Sequence, residues 1–406
     1  MVDLSVNFAG LELKNPLIVA SSDNTRDIRQ IKKAEQCGAS AVITKALFPP
    51  GALGLQPKLR MFFDLKGVTR YGACVASRLT YDQGIDLVRA AKKETKIKVG
   101  INVPFYSIEE RERCAQVAKR ASDAGADFIE LNFRGQPTDH ATGMQTLEEW
   151  EAAQTSDVER AREKAQDLTS WISEGIKFIK QAVNIPVIAK IAPEGIDVVA
   201  VAKALERGGA DAIDAINNMG GAFKVDVFNG GRPKLIAAKN SFLRCSGAIM
   251  KPYAQGFVAR ISKAVNIPVL GTGGLMNWTD AVEMMMFGAT TVSFCTLLLI
   301  HGFEAITEIE KGLRGFMEQQ GYSHVDDFRG LAQKYVAQSE PTCEVIPIVA
   351  RIDKVKCTGC GLCLKPAHCL ATSMENGKAA VCEAECLGCG TCFQICPAGA
   401  ISMIEI

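Results

Sequence analysis

The chain has 406 residues, 48% of them apolar, and a formal net charge of +1. That length predicts two or three domains with a sizeable core, and the charge balance leaves no electrostatic footprint for nucleic acid or an anionic membrane. No run of ~18 consecutive apolar residues marks a membrane span, and the opening MVDLSVNF lacks the basic and apolar regions of a secretory leader, so a cytoplasmic protein is expected.

From residue 1 to 340 one pattern repeats. Short β-branched apolar runs alternate with helical stretches that end in Gly-Ala. The predicted strands are Pro16–Ser21, Ala41–Ala46, Lys98–Val103, Asp127–Phe133, Pro186–Pro193, Ala212–Asn218, Pro268–Gly274 and Thr291–Thr296. Helices such as Ile108–Ala124 and Asp197–Arg207 lie between them. Cys37-Gly38-Ala39, Ala124-Gly125-Ala126, Gly208-Gly209-Ala210 and Phe287-Gly288-Ala289 separate a helix from the next strand, because glycine accepts the left-handed conformation that ends a helix. Eight βα units in one domain predict an α/β fold, a (β/α)8 barrel. A doubly wound open sheet, the alternative, would call for a G-x-G-x-x-G turn after the first strand, and there is none. Residues 136–170 read as a charged, helix-prone insertion over the mouth of the barrel: a lid, a partner contact or a solvated surface helix. Residues 340–355, with Pro341 and Pro347, read as a linker. Residues 341–406 form a small second domain.

Barrel active sites lie at the C-terminal ends of strands. Those ends carry Ala20 and Ser21, Thr44 and Lys45, Glu130-Leu131-Asn132, Lys190, Asn217-Asn218, Gly271-Thr272-Gly273-Gly274, and Cys295-Thr296. Two lysines and three amides are costly to bury without partners, which a planar polar ligand would supply. Gly273 and Gly274, Thr296 and the segment Ser246-Gly247 form the predicted phosphate site, in the place where barrels bind phosphate after strands 7 and 8.

Of fifteen cysteines, nine fall between Cys357 and Cys396. They include Cys357-x2-Cys360-x2-Cys363 and Cys386-x2-Cys389-x2-Cys392-x3-Cys396-Pro397. The second run has the bacterial ferredoxin spacing for [4Fe–4S] clusters, in which the fourth thiolate serves the other cluster. Cys357, Cys360, Cys363 and Cys396 are therefore assigned to one cluster, and Cys386, Cys389, Cys392 and Cys369 to a second. Cys369 follows Cys363 by five intervening residues rather than three, and no proline follows it. Cys382 reads as a structural thiol. A zinc ribbon needs two cysteine pairs, whereas this segment offers two triples plus two distal thiols.

Asn15-Pro16, Lys45, Glu130-Leu131-Asn132, Ala189-Lys190-Ile191, Ser246-Gly247, Gly271–Gly274 and the Thr296 segment are arranged as in the dihydroorotate dehydrogenases, which the chain resembles. The appended double-cluster unit narrows the resemblance to dihydropyrimidine dehydrogenases, in the form of the flavin/iron–sulfur subunit of the bacterial NAD-dependent enzyme. The resemblance implies FMN in the barrel, with Ala20, Ser21 and Cys295 among its lining. It implies Lys190 near flavin N1 and the C2 oxygen, Lys45 and Asn132 touching flavin and substrate, and Asn217 hydrogen-bonded to substrate. The family's Ser-Cys-Pro run, whose Cys exchanges a proton with the substrate carbon, is replaced by Asn132-Phe133-Arg134-Gly135-Gln136-Pro137. A proton donor from elsewhere would then be needed, with His140, Asp139 and Cys74 as nearby options, and His140 is taken as the catalytic candidate. Arg134 and Arg78 would suit an anionic substrate.

The expected activity is reduction or formation of a polarised C=C bond in a small heteroaromatic or unsaturated compound. Electrons would pass between two clusters and FMN. An NAD(P)H-oxidising flavoprotein subunit or a ferredoxin would be the electron partner, in an oligomer. The alternatives are a related reductase of anionic enoyl or aromatic compounds, and an electron-transfer subunit with a non-catalytic barrel.

Overall fold

The computed structural model describes residues 2–49, 61–64, 69–73, 79–105, 108–133, 158–193, 197–222, 224–234, 243–337 and 344–406. They divide into two compact units, Met1–Val336 and Ala337–Ile406.

In the first unit eight parallel strands close into a ring in chain order. They are β1 Leu17–Val19, β2 Ala41–Ile43, β3 Lys98–Phe105, β4 Phe128–Phe133, β5 Val187–Ile191, β6 Ala212–Ala215, β7 Val269–Thr272 and β8 Thr291–Phe294, and β8 pairs back onto β1. Each coincides with one of the predicted runs, and ring closure excludes the open sheet. The strands are buried almost throughout, as expected for a parallel sheet covered by helices. Phe105, Phe128 and Phe294 are among the largest fully buried side chains.

The helices are α1 Ile28–Gln36, α2 Tyr81–Glu94, α3 Arg111–Asp123, α4 Val158–Ala182, α5 Val198–Gly208, α6 Lys251–Ala264, α7 Trp278–Met286, α8 Thr296–His301 and α9 Glu304–Gln320. Their starts are written in side chains. Asp27, Thr80, Asp197 and Asn277 each accept a hydrogen bond from a first-turn N–H, satisfying donors that a helix leaves unpaired. At the other end, Gly209 closes α5 at φ 87°.

Residues 136–157 of the expected insertion lie outside the described residues. Residues 158–170 are not a separate lid: they begin α4, which continues to Ala182 and buries Ile172, Ile176 and Ile179 along one face. A four-stranded antiparallel sheet in the order Met219–Ala222, Leu243–Gly247, Thr69–Ala73, Met61–Asp64 is built from the segments that follow β6 and β2.

In the second unit Ile348–Ile352 pairs antiparallel with Ile401–Glu405, and Thr372–Glu375 with Lys378–Val381. This corrects the linker expectation: residues 348–352 are a strand, because their backbone finds partners some fifty residues downstream. The unit's core is small and includes Cys357, Cys363 and Cys392 beside Ala350, Ala379, Ala400 and Ile401.

Candidate functional site

A cavity of about 1050 Å³, measured to its open mouth, lies at the C-terminal ends of the barrel strands. Of the residues expected there, Ala20, Ser21, Lys45, Lys190, Asn217, Ser246, Gly247, Gly273, Gly274, Cys295 and Thr296 line it. His140, Asp139, Arg134, Cys74 and Arg78 lie outside the described residues. Asn132 does not line the cavity. It lies behind Asn217, whose Nδ2 donates to Asn132 Oδ1 at 2.9 Å, while Asn132 Nδ2 donates to Asn102 Oδ1 at 3.3 Å.

Strand register explains the floor of the site. Asn102 on β3 stands beside Glu130 on β4, and Lys190 on β5 beside Asp214 on β6. Asn102 donates to Glu130 Oε1. Lys190 Nζ lies 2.6 Å from Asp214 Oδ2 and 3.5 Å from Glu130 Oε2. Burial alone would lower the Lys190 pKa, but the charges of Asp214 and Glu130 outweigh it and raise it. Burial raises the Glu130 carboxyl, Lys190 opposes that shift and Asp214 reinforces it. Near the mouth, Lys45 Nζ sits 3.1 Å from Asp23 Oδ1, and Asp23 is itself buried.

One wall is a close-approach surface. Ser246 and Thr296 share a hydroxyl–hydroxyl hydrogen bond of 2.9 Å. Gly274 has φ 79°, and a Cβ there would stand 2.3 Å from the Lys251 nitrogen, so only glycine fits. Arg244 also lines the cavity and donates to Asn218 O at 3.1 Å. Asn218 Oδ1 is buried with no hydrogen-bond partner among the described residues. A buried orphan acceptor, a glycine wall and clustered hydroxyls fit a polar, phosphate-bearing ring ligand such as FMN.

Sequence reasoning missed the partners: Asp214, Asn102, Asp23 and Arg244. The available signal was a carboxylate inside a predicted barrel strand, since Asp is almost never fully buried unpaired.

The thiols of the second unit gather around two small hollows, both partly open to solvent. Cys357, Cys360, Cys363 and Cys396 line one of about 340 Å³. Cys369, Cys386, Cys389 and Cys392 line the other of about 350 Å³, with Cys363 also at its wall. Cys382 lines neither and is exposed. Among the described residues no His, Cys, Asp or Glu trio is arranged to hold a single metal ion; the thiols surround cavities instead.

Both loops bend alike. Gly359 and Gly388 hold φ 73° and 65°, and their missing Cβ atoms would meet Gly377 O at 2.3 Å and Ile348 O at 2.6 Å. Backbone N–H groups of Ala379, Ala350 and Ala400 point to Cys357, Cys386 and Cys396 Sγ, each at 3.4 Å. The Ala379 N–H, then that of Gly359, lowers the Cys357 pKa, and contacts with Thr391 and His368 bring Cys389 down to about 7. Such hydrogen bonds favour thiolates and tune clusters held by them, so the thiol sets fit cubane ligation. No helix among the described residues is long and apolar enough to cross a membrane.

The family model described as dihydroorotate dehydrogenase matches residues 3–317, and that of a 4Fe-4S binding domain matches residues 383–402. The chain is 27% identical over 369 residues to the NAD-dependent dihydropyrimidine dehydrogenase subunit PreA of Escherichia coli (strain K12), covering 89% of this chain and 84% of that one. It is 30% identical over 331 residues to the catalytic subunit of dihydroorotate dehydrogenase B (NAD(+)) of Pyrococcus abyssi, covering 82% and 99%. The corresponding subunit of Methanosarcina acetivorans is 30% identical over 331 residues, covering 81% and 96%.

Proposed function

The chain belongs to the dihydroorotate dehydrogenase family, a flavin- and iron–sulfur-dependent oxidoreductase by its two matched parts, and on that premise we propose that it reduces, or forms, a polarised C=C bond in a small heteroaromatic or unsaturated substrate. The observation that carries this reading is the cavity at the strand ends, where Lys45, Lys190 and Asn217 meet a glycine and hydroxyl wall, on a chain that also gathers eight thiols around two cavities.

FMN is the proposed occupant of the barrel, and two [4Fe–4S] clusters the proposed occupants of the thiol cavities. Flavin exchanges electrons singly with clusters and in pairs with a carbon substrate. Gly247, Gly273, Gly274, Ser246 and Thr296 would hold its phosphate. Lys190 would donate to the ring, and Asn217, held by Asn132, would orient a substrate edge. Lys45, kept in place by Asp23, would face the same space. The electron partner is an NAD(P)H-oxidising flavoprotein subunit or a ferredoxin, in a cytoplasmic oligomer. Dihydropyrimidine dehydrogenase-like chemistry is the leading specific activity, supported by the 27% identity to PreA along 89% of the chain.

Anaerobic purification followed by flavin and iron analysis, then reoxidation of the reduced protein by uracil, thymine or an enoate, tests the reading. Reoxidation by one of these supports it. The run Asn132–Pro137, which lacks the family's loop cysteine, favours a second reading, an electron-transfer subunit with a non-catalytic barrel. Bound flavin that no member of the panel reoxidises would select that second reading.

A further inference from the structure

The floor of the barrel cavity holds two carboxyl groups for one ammonium. Lys190 Nζ is 2.6 Å from Asp214 Oδ2 and 3.5 Å from Glu130 Oε2, and the three side chains are 6%, 0% and 0% exposed. Among the described residues, the other side chains that hydrogen-bond to the two carboxyl groups are neutral. Asn102 from β3 donates to Glu130 Oε1, Thr272 from β7 donates to Asp214 Oδ1, and Thr272 Oγ1 lies 2.6 Å from Ser293 Oγ of β8. The Cys295 thiol, just past β8, is a further titratable group felt by Lys190.

With both carboxyls ionised, the trio would carry one uncompensated negative charge away from water. Neighbouring buried carboxylates avoid that state by keeping a proton between them. We infer that Glu130 and Asp214 share one proton and together cancel the charge of Lys190, so the cavity floor offers an ammonium N–H donor without a net cation. An ammonium has three donors; Asp214 takes one and Glu130 flanks a second, which leaves one for the occupant. The upward shift of Glu130, caused first by burial and reinforced by Asp214, agrees with this arrangement. Asp214 and Glu130 are thus positioning residues that act through Lys190. The electrochemical part of the test rests on the flavin reading above.

The pair is redundant by construction. When Asp214 loses its charge, Glu130 ionises in its place. When Glu130 loses its carboxyl, Asp214 remains. A bare ammonium appears only when both are neutralised.

The test compares D214N, E130Q and the D214N/E130Q double variant of the full chain. In each single variant, the ratio of affinities for reduced over oxidised flavin stays within about twofold of the parent. In the double variant that ratio rises at least about tenfold, read as an upward shift of about 30 mV in the two-electron midpoint potential. A single variant that moves as far as the double, or a double that does not move, overturns the inference. Side chains that only fill space would give additive shifts instead. A second readout needs no flavin: the infrared C=O stretch of a neutral carboxylic acid at neutral pH. It is expected in the parent and absent from both single variants. Its absence from the parent, or survival in either variant, also overturns the inference. A chain that purifies without flavin would sink the oxidoreductase reading, while the infrared result would still decide the carboxyl pair.

Discussion

The two units are held together by different means. The barrel buries a continuous apolar interior, with β4 and β5 inaccessible along their whole length. The second unit has a core of a few small residues and three thiols, and leaves Val355, Leu370 and Leu387 92%, 87% and 71% exposed. A segment of that size rarely closes a sufficient core alone. The clusters proposed for its thiols would therefore supply much of its folding free energy, whereas the barrel closes on its own apolar side chains.

The sharpest way to break this contrast is to strip iron with a chelator under reductant. Amide exchange should become unprotected across 344–406 while the barrel strands keep their protection; a second unit that stays protected would refute the contrast. Next comes C369S, which should remove about half of the iron while flavin is retained, if each cluster takes four cysteines. Full iron retention would remove Cys369 from the ligand set. F128A creates a cavity under β4 and should cost the barrel about 3–5 kcal/mol in urea unfolding, with iron content unchanged. G274A forces a Cβ to within 2.3 Å of the Lys251 nitrogen and should cost about 1–3 kcal/mol and weaken flavin retention. C382S should be the mildest, with iron content equal to the parent, because that exposed thiol lines neither cavity.

Much of the architecture was legible in the residues. All eight barrel strands announce themselves as short β-branched runs, and the helix predicted to start at Asp197 does so, capped by that side chain. The two thiol groups written from ferredoxin spacing are those that line the two hollows, with Cys363 touching both. What stayed hidden depends on contacts between distant residues. Lys190 could be singled out, but its match to Asp214 rests on the register of β5 against β6. Asn132 could be placed at a strand end, yet its role in holding Asn217 is visible only once β4 and β6 stand in the ring. The strand at 348–352 looked like a linker because its partner comes from residues 401–405.

That last pairing has a consequence for modularity. Ile348 stands opposite Glu405 and Ile352 opposite Ile401, so the strands that open and close the described cysteine-rich unit lie side by side. A module closed in this way behaves as a cassette. Any group its clustered thiols hold would travel with it.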